Sequence, residues 1–234
     1  MLVTAHWLRI INMPKVIIDI ETIGRPFDSY AKEDQEYLLK YAKTEEEEGF
    51  VRKNLSLYPL TGEVVTIGML NPDTGRGMVF FQDKGEGSEE FEEGGLTFRA
   101  GSEKEILEKF WEAVRPYDKI ITFNGRSFDV PFLMIRSAIN KVRTSRNFMG
   151  YRYKPESHCD LLEQLTFYGT TRRFSLDFYA KSFGIKSSKE EGIDGSMVGK
   201  MYAEKKYLEV ARYCARDLET TNELHDYWDK YLKF

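Results

Sequence analysis

Cysteine is scarce in this 234-residue chain: there are two, Cys159 and Cys214, and their spacing matches no metal-ligand motif. That argues against a disulfide framework and a cysteine-built zinc site, and it fits a reduced, cytoplasmic setting. No apolar run approaches membrane-spanning length, and no membrane partner is expected. The first residues, MLVTAHWLRIINMPK, lack the basic start, long apolar run and small-residue cleavage site of a signal peptide. Excess positive charge is missing as well. The formal net charge is −4, so the whole-chain field does not announce a nucleic-acid binder. Any such site must be a local basic patch or an acidic cluster loaded with metal. No internal repeat and no Pro/Gly-rich linker divides the chain.

What is present suffices for a packed core: 41% hydrophobic residues and 14% aromatics, with 31% charged. We read residues 14–234 as one domain and residues 1–13 as an optional extension. Lys15–Ile20 is a strand by its β-branched run. Residues 29–53 form a charged surface insertion. Val64–Leu70 and Met78–Gln82 flank the turn residues NPDTG and predict a hairpin. Asp83–Gly95, rich in Gly and Glu, reads as a mobile loop, and Leu96–Arg99 as a third strand. Ser102 and Glu105 predict a capping box, followed by apolar residues at helical spacing. Lys119–Phe123 and residues 157–160 are extended. Helices are expected over Phe128–Ile139, Leu161–Phe167, Ser175–Phe183, Met197–Glu204 and Lys206–Lys230. A meander followed by alternating helix and strand describes an α/β mixed sheet with helices packed on it.

The stretch VIIDIET, residues 16–22, places Asp19 and Glu21 on one face of a buried strand, where like charges repel. A second stretch, ITFNGRSFDVPFL, ends a strand, turns at Asn124-Gly125 and puts Asp129 at the head of a helix. A third, YCARD, puts Tyr213 and Asp217 four apart on one helix face. Taken singly, each has an ordinary structural explanation. Asp129 complements a helix dipole, Tyr213 is a core aromatic, and Asp217 is a surface acid.

Together, D-x-E on a strand, N-x-x-x-F-D on a turn and helix, and Y-x-x-x-D on a helix match, in chain order, the three motifs of the DEDD 3′–5′ exonuclease superfamily. The flanking text, FNGRSFDVPFL, KSSKEEGIDG and YCARDLETT, resembles stand-alone prokaryotic predicted exonucleases related to the proofreading domain of family-B DNA polymerases. The resemblance spans roughly residues 14–230 and implies a ribonuclease H-like (DnaQ-like) sheet with helices on both faces. Arg212 occupies the position that holds histidine in the His-bearing subclass, so Tyr213 assigns the Tyr subclass.

The resemblance implies two divalent cations, Mg²⁺ or Mn²⁺, which suit hard carboxylate oxygens. Asp19 would bridge both, Glu21 and Asp217 would complete the first site, and Asp129 would hold the second. Tyr213 would orient the attacking water, since a phenol is a poor base at neutral pH. Asp160 reads as a helix N-cap. Residues 136–155 carry six basic residues, no acid and interleaved aromatics, a composition suited to a single strand. Arg143 and Arg146 belong to that stretch, and Arg172-Arg173 is a smaller candidate. Thr22, Ile23, Asn124, Phe128 and Lys186 are expected around the terminal nucleotide. The expected activity is removal of nucleoside 5′-monophosphates from the 3′ ends of single-stranded or frayed DNA, in repair or end trimming. An exoribonuclease, a ribonuclease H-type endonuclease and a non-catalytic nucleic-acid-binding module are the alternatives.

Overall fold

A computed structural model describes residues 14–83, 90–189 and 194–233; the expected extension at 1–13 lies outside them. Among the described residues, seven strands join one mixed sheet: β1 (Lys15–Gly24), β2 (Gly62–Asn71), β3 (Arg76–Gln82), β4 (Phe91–Glu93), β5 (Leu96–Gly101), β6 (Lys119–Thr122) and β7 (His158–Asp160). Their order across the sheet is β4-β5-β3-β2-β1-β6-β7. β1, β2 and β3 form the antiparallel meander, whereas β6 and β7 run parallel to β1.

The helices are α1 (Lys32–Leu39), α2 (Glu45–Lys53), α3 (Glu103–Ala113), α4 (Asp129–Ile139), α5 (Leu161–Leu165), α6 (Leu176–Phe183), α7 (Val198–Ala203) and α8 (Tyr207–Tyr231). The expected capping box starts α3, with Ser102 and Glu105 each accepting the other's backbone amide. Helices cover both faces. Val16, Ile18 and Ile20 of β1 pack with Ile106, Phe110 and Phe132 of α3 and α4. On the other face, Ile17 packs with Ala211, Ala215 and Leu218 of α8. Side chains alternate along a strand, so Asp19 and Glu21 follow Ile17 onto the α8 side.

Two segments differ from expectation. β1 continues four residues past Ile20, because its pairing with β2 runs on to Gly24 opposite Gly62. The expected loop over Asp83–Gly95 contains β4, whose Phe91 stacks on Phe98 of β5 at 5.0 Å; residues 84–89 lie outside the described set. The insertion between β1 and β2 holds α1 and α2, neither of which buries a side chain.

Candidate active site

Carboxylate oxygens of Asp19, Glu21 and Asp217 lie within 4.8 Å of one another. Strand and helix are held this close by Gly68, directly across the β1–β2 ladder from Asp19. A Cβ at Gly68 would come within 2.7 Å of Leu218 Cδ1 and 2.8 Å of Cys214 Sγ. The missing side chain is the space into which α8 docks. Cys214 Sγ then lies 3.4 Å from Asp19 Oδ2, and the buried thiol donates to that carboxylate. One bulge modifies the ladder: Glu21 pairs with Thr66 and Thr22 with Val64, leaving Val65 as the extra residue. Val65 packs with Tyr213, Val210 and Met201, and Ile23 lies against the same group.

Asp129 reaches the cluster from the other face. β6 pairs with β1 only as far as Ile17, so beyond that point the β6 side of β1 has no strand partner among the described residues. There the Ile20 amide donates to Asp129 Oδ1 at 3.1 Å. The turn after β6 makes this possible. Asn124 sits in the left-handed region at φ 64°, and a Cβ on Gly125 would lie 2.5 Å from the Thr122 side chain. Asp160, 1% exposed, accepts the amides of Asn124 and Arg126 and also caps α5 through Leu162 and Glu163. It is the N-cap that its position in the sequence predicts, and it also braces the turn that delivers Asp129.

Burial shapes the charge of the site. Glu21 is 8% exposed, Asp129 4% and Asp217 9%. Desolvation raises the pKa of all four acids, most strongly at Asp19 and Glu21, where Asp217 and Asp129 add repulsion. Asp129 is pushed up to about 7. Asp217 is also raised, although hydrogen bonds from Ser188 and Tyr213 and the charges of Lys189 and Arg216 work the other way. Tyr213, 4% exposed, is displaced far above the ordinary phenol range by burial and by Asp217. It is therefore a hydrogen-bond donor throughout the physiological range.

Two carboxylates 4.8 Å apart repel by about 3 kcal/mol at an effective dielectric near 20. Either protons or cations relieve this. The donors are all hard oxygens, which matches Mg²⁺ or Mn²⁺ rather than a soft metal. The residues fit a divalent cation.

The residues expected to bind substrate divide into two groups. Thr22, Ile23, Asn124 and Phe128 lie on the segments that carry the acids. Thr22 donates its hydroxyl to Ser56 O at 2.8 Å, and the Phe128 ring meets Phe132 at 5.4 Å. Lys186 is exposed, and its carbonyl accepts from Thr220 Oγ1 one turn beyond Asp217. The basic stretch 136–155 is largely committed elsewhere. Arg146 donates to Tyr117 O and pairs with Asp118 at 3.5 Å, just before β6. That is the end where β1 enters the sheet, away from the acids. Arg136 is buried in a two-pronged bond to Glu103, and Arg152 is held by Glu163. Phe148 is 2% exposed and packs on Trp111, so it is core rather than a stacking ring. Arg143 is exposed and is not brought to the cluster by any contact.

Four participants escape a reading by motif: Gly68, Cys214, Ser188 and the amide of Ile20. Of these, only Gly68 leaves a trace, as a lone glycine between Ile67 and Met69 inside a strand.

A family model described as "Predicted 3'-5' exonuclease related to the exonuclease domain of PolB" matches residues 83–225, more than half of the chain. The match begins after β1, so the placement of Asp19 and Glu21 rests on the structure. A search of curated proteins finds no match. Among solved structures, the family B DNA polymerase from the hyperthermophilic archaeon Pyrobaculum calidifontis aligns over 93% of this chain with a TM-score of 0.60 and 18% identity. The chain spans 24% of that polymerase's length, and at this identity the likeness is one of fold. No helix among the described residues is long and apolar enough to cross a membrane.

Proposed function

Because the chain belongs to the family of predicted 3′–5′ exonucleases related to the exonuclease domain of PolB, we propose that it hydrolyses single-stranded or frayed DNA from the 3′ end, releasing nucleoside 5′-monophosphates. The observation that carries this reading is the convergence of Asp19, Glu21 and Asp217 within 4.8 Å, with Asp129 fixed to the intervening Ile20 amide. Asp19, Glu21 and Asp217 would hold one divalent cation, and Asp19 and Asp129 a second. When bound, two such ions lower the pKa of an attacking water and neutralise charge on the phosphate and leaving oxygens.

The chain's own residues do the rest. Tyr213 keeps its proton and hydrogen-bonds the Asp217 carboxylate. From there its hydroxyl can orient a water without acting as a base. Cys214 and Gly68 fix the Asp19 carboxylate against α8. Thr22 and Ile23, directly after the acids, would flank the terminal nucleotide, with Asn124 and Phe128 lining the same pocket and Lys186 nearby. We treat residues 14–234 as one exonuclease unit, since every described strand joins one sheet. The assigned setting is the cytoplasm, on the cysteine usage, and the assigned task is repair or end trimming.

The test uses 3′- and 5′-labelled DNA and RNA oligonucleotides with Mg²⁺, Mn²⁺ or EDTA. The expected result is a ladder shortening from the 3′ end, faster on DNA, lost with EDTA and with Asp19→Ala. Internal cleavage, or binding without cleavage in either metal, overturns the reading.

A further inference from the structure

Beyond the acid cluster, exposed rings form two groups, one on the segments flanking β7 and α5 and one at the start of α6. Tyr151, Tyr153, Phe167 and Phe178 are 67%, 56%, 58% and 52% exposed. They are organised. Tyr153 stands edge-on to Tyr151 at 5.7 Å and to Tyr168 at 4.8 Å. Phe178 stacks on Phe174 at 4.6 Å, and the Arg172 guanidinium lies 5.0 Å over the Phe174 ring.

Of these rings, Phe167 sits on a strained turn. Phe167 and Tyr168 both occupy the left-handed region, at φ 50° and 59°. Bulky side chains are rare there, which makes two in succession an outlier. The turn is held by Tyr168 N–H donating to Glu163 O at 2.7 Å and Thr171 N–H to Thr166 O at 3.1 Å. Strain maintained in this way marks sites whose geometry serves a purpose.

The local charge is opposite to that of the chain. Residues 141–175 hold seven Lys or Arg and three acids, against a net −4 overall. Two of those acids, Asp160 and Glu163, are buried, and Glu163 is already paired with Arg126 and Arg152. Of the seven cations, Arg146 is paired with Asp118 and Arg152 with Glu163; the other five, Arg172 and Arg173 among them, have no ion pair among the described residues.

Two links tie this ledge to the turn that delivers Asp129. Arg126 donates to Gly150 O at 2.9 Å, beside Tyr151. Phe123, just before the turn, meets Tyr179 at 5.8 Å, and Tyr179 meets Phe174 at 6.2 Å.

We propose that this ledge is a stacking platform for the single strand that leads away from the cleaved 3′ end, with bases on the rings and phosphates on the arginines. The direction of the strand rests on the exonuclease reading; the binding itself does not. Rings on separate turns suit unpaired bases, whose faces are free, and a duplex offers none.

Wild type, Tyr153→Ala, Phe178→Ala and Arg172→Glu are compared by fluorescence anisotropy with a labelled oligothymidylate of about fifteen nucleotides. Using EDTA and low salt makes the measurement independent of turnover. Each variant is expected to weaken binding about tenfold while keeping the wild-type melting temperature, since the side chains are at the surface. In the cleavage assay, KM for the long oligonucleotide rises more than kcat falls, and the loss exceeds that on a trinucleotide. Equal affinity across all four proteins overturns the ledge, as does equal loss on long and short substrates. Sedimentation that changes in the variants while oligonucleotide affinity does not would assign the rings to a protein contact and overturn it too. Ledge-dependent binding without cleavage in any metal would overturn the exonuclease reading and leave the ledge standing.

Discussion

Ile20 and Asp129 stand 109 residues apart, yet the amide of one donates to the carboxylate of the other at 3.1 Å. The bond anchors an acid from the α3–α4 face to the strand whose other acids face α8. It also separates two roles of Asp129, charge and anchor. Asp129→Asn keeps an oxygen acceptor and removes the charge, so it should fold with near-wild-type stability and lose at least about a hundredfold in cleavage rate. Asp129→Ala leaves the Ile20 amide without its partner and should lose about 1–3 kcal/mol in addition. Thermal melts of the two variants decide it; equal stability would remove the anchoring role.

Gly68→Ala tests the docking of α8. The new methyl group meets Leu218 and Cys214 below 3 Å, so the helix must shift and carry Asp217 with it. A loss of about 1–3 kcal/mol is expected from overpacking, together with weaker Mn²⁺ binding by titration calorimetry. Gly49→Ala, in open space on α2, is the control and should be neutral or slightly stabilising. Unchanged Mn²⁺ affinity in Gly68→Ala would refute the spacing argument.

The site should make stability depend on pH in a particular direction. Folding raises the acids above their ordinary values, Asp129 from 3.8 to about 7. Between those values the folded chain binds more protons than the unfolded chain, so the metal-free protein loses stability as pH rises through that window. A cation prefers the ionised site, so its stabilising effect grows over the same range. The rise in melting temperature with Mg²⁺ should therefore be larger at pH 8 than at pH 5. Equal shifts at both would show that these acids are not the binding site.

Tyr213→Phe removes one hydroxyl from a buried ring. Turnover should fall by about ten- to a hundredfold, the scale of a misoriented reactant, with Mn²⁺ affinity within about twofold. Full activity would end the water-orienting role.

Arg136 offers a contrast with the ledge. Its guanidinium is bound at 2.8 and 2.6 Å to the two oxygens of Glu103, which also accepts the Val64 amide. Glu103→Ala should cost about 3–5 kcal/mol by stranding a buried charge. Its cleavage rate, measured well below the melting temperature, should match wild type.

The legible and illegible parts of this protein differ in the range of the contacts involved. Strand alternation in VIIDIET, the capping box at Ser102 and the Tyr213–Asp217 spacing are local patterns, and each appears where the sequence places it. Composition over 136–155 does not show that Glu103, Asp118 and Glu163, from other segments, capture three of its six basic residues, Arg136, Arg146 and Arg152. Phe148 is drawn into the core by Trp111 for the same reason. β4 was obscured by two acids and two glycines over 91–95, although pairing with β5 suffices to form it. Gly68 was visible as a strand glycine, but its partner lies on the last helix.

The contact between Cys214 and Asp19 closes a loop of 195 residues. Loop-closure entropy disfavours forming it before the sheet between its ends has shortened the loop. During synthesis the strand carrying Asp19 and Glu21 emerges long before α8, and until α8 docks the acids lack Asp217. A nascent or partly unfolded chain thus has no complete site. On the proposed function, hydrolysis would report on finished folding, and local opening of α8 would switch it off before the sheet itself is lost.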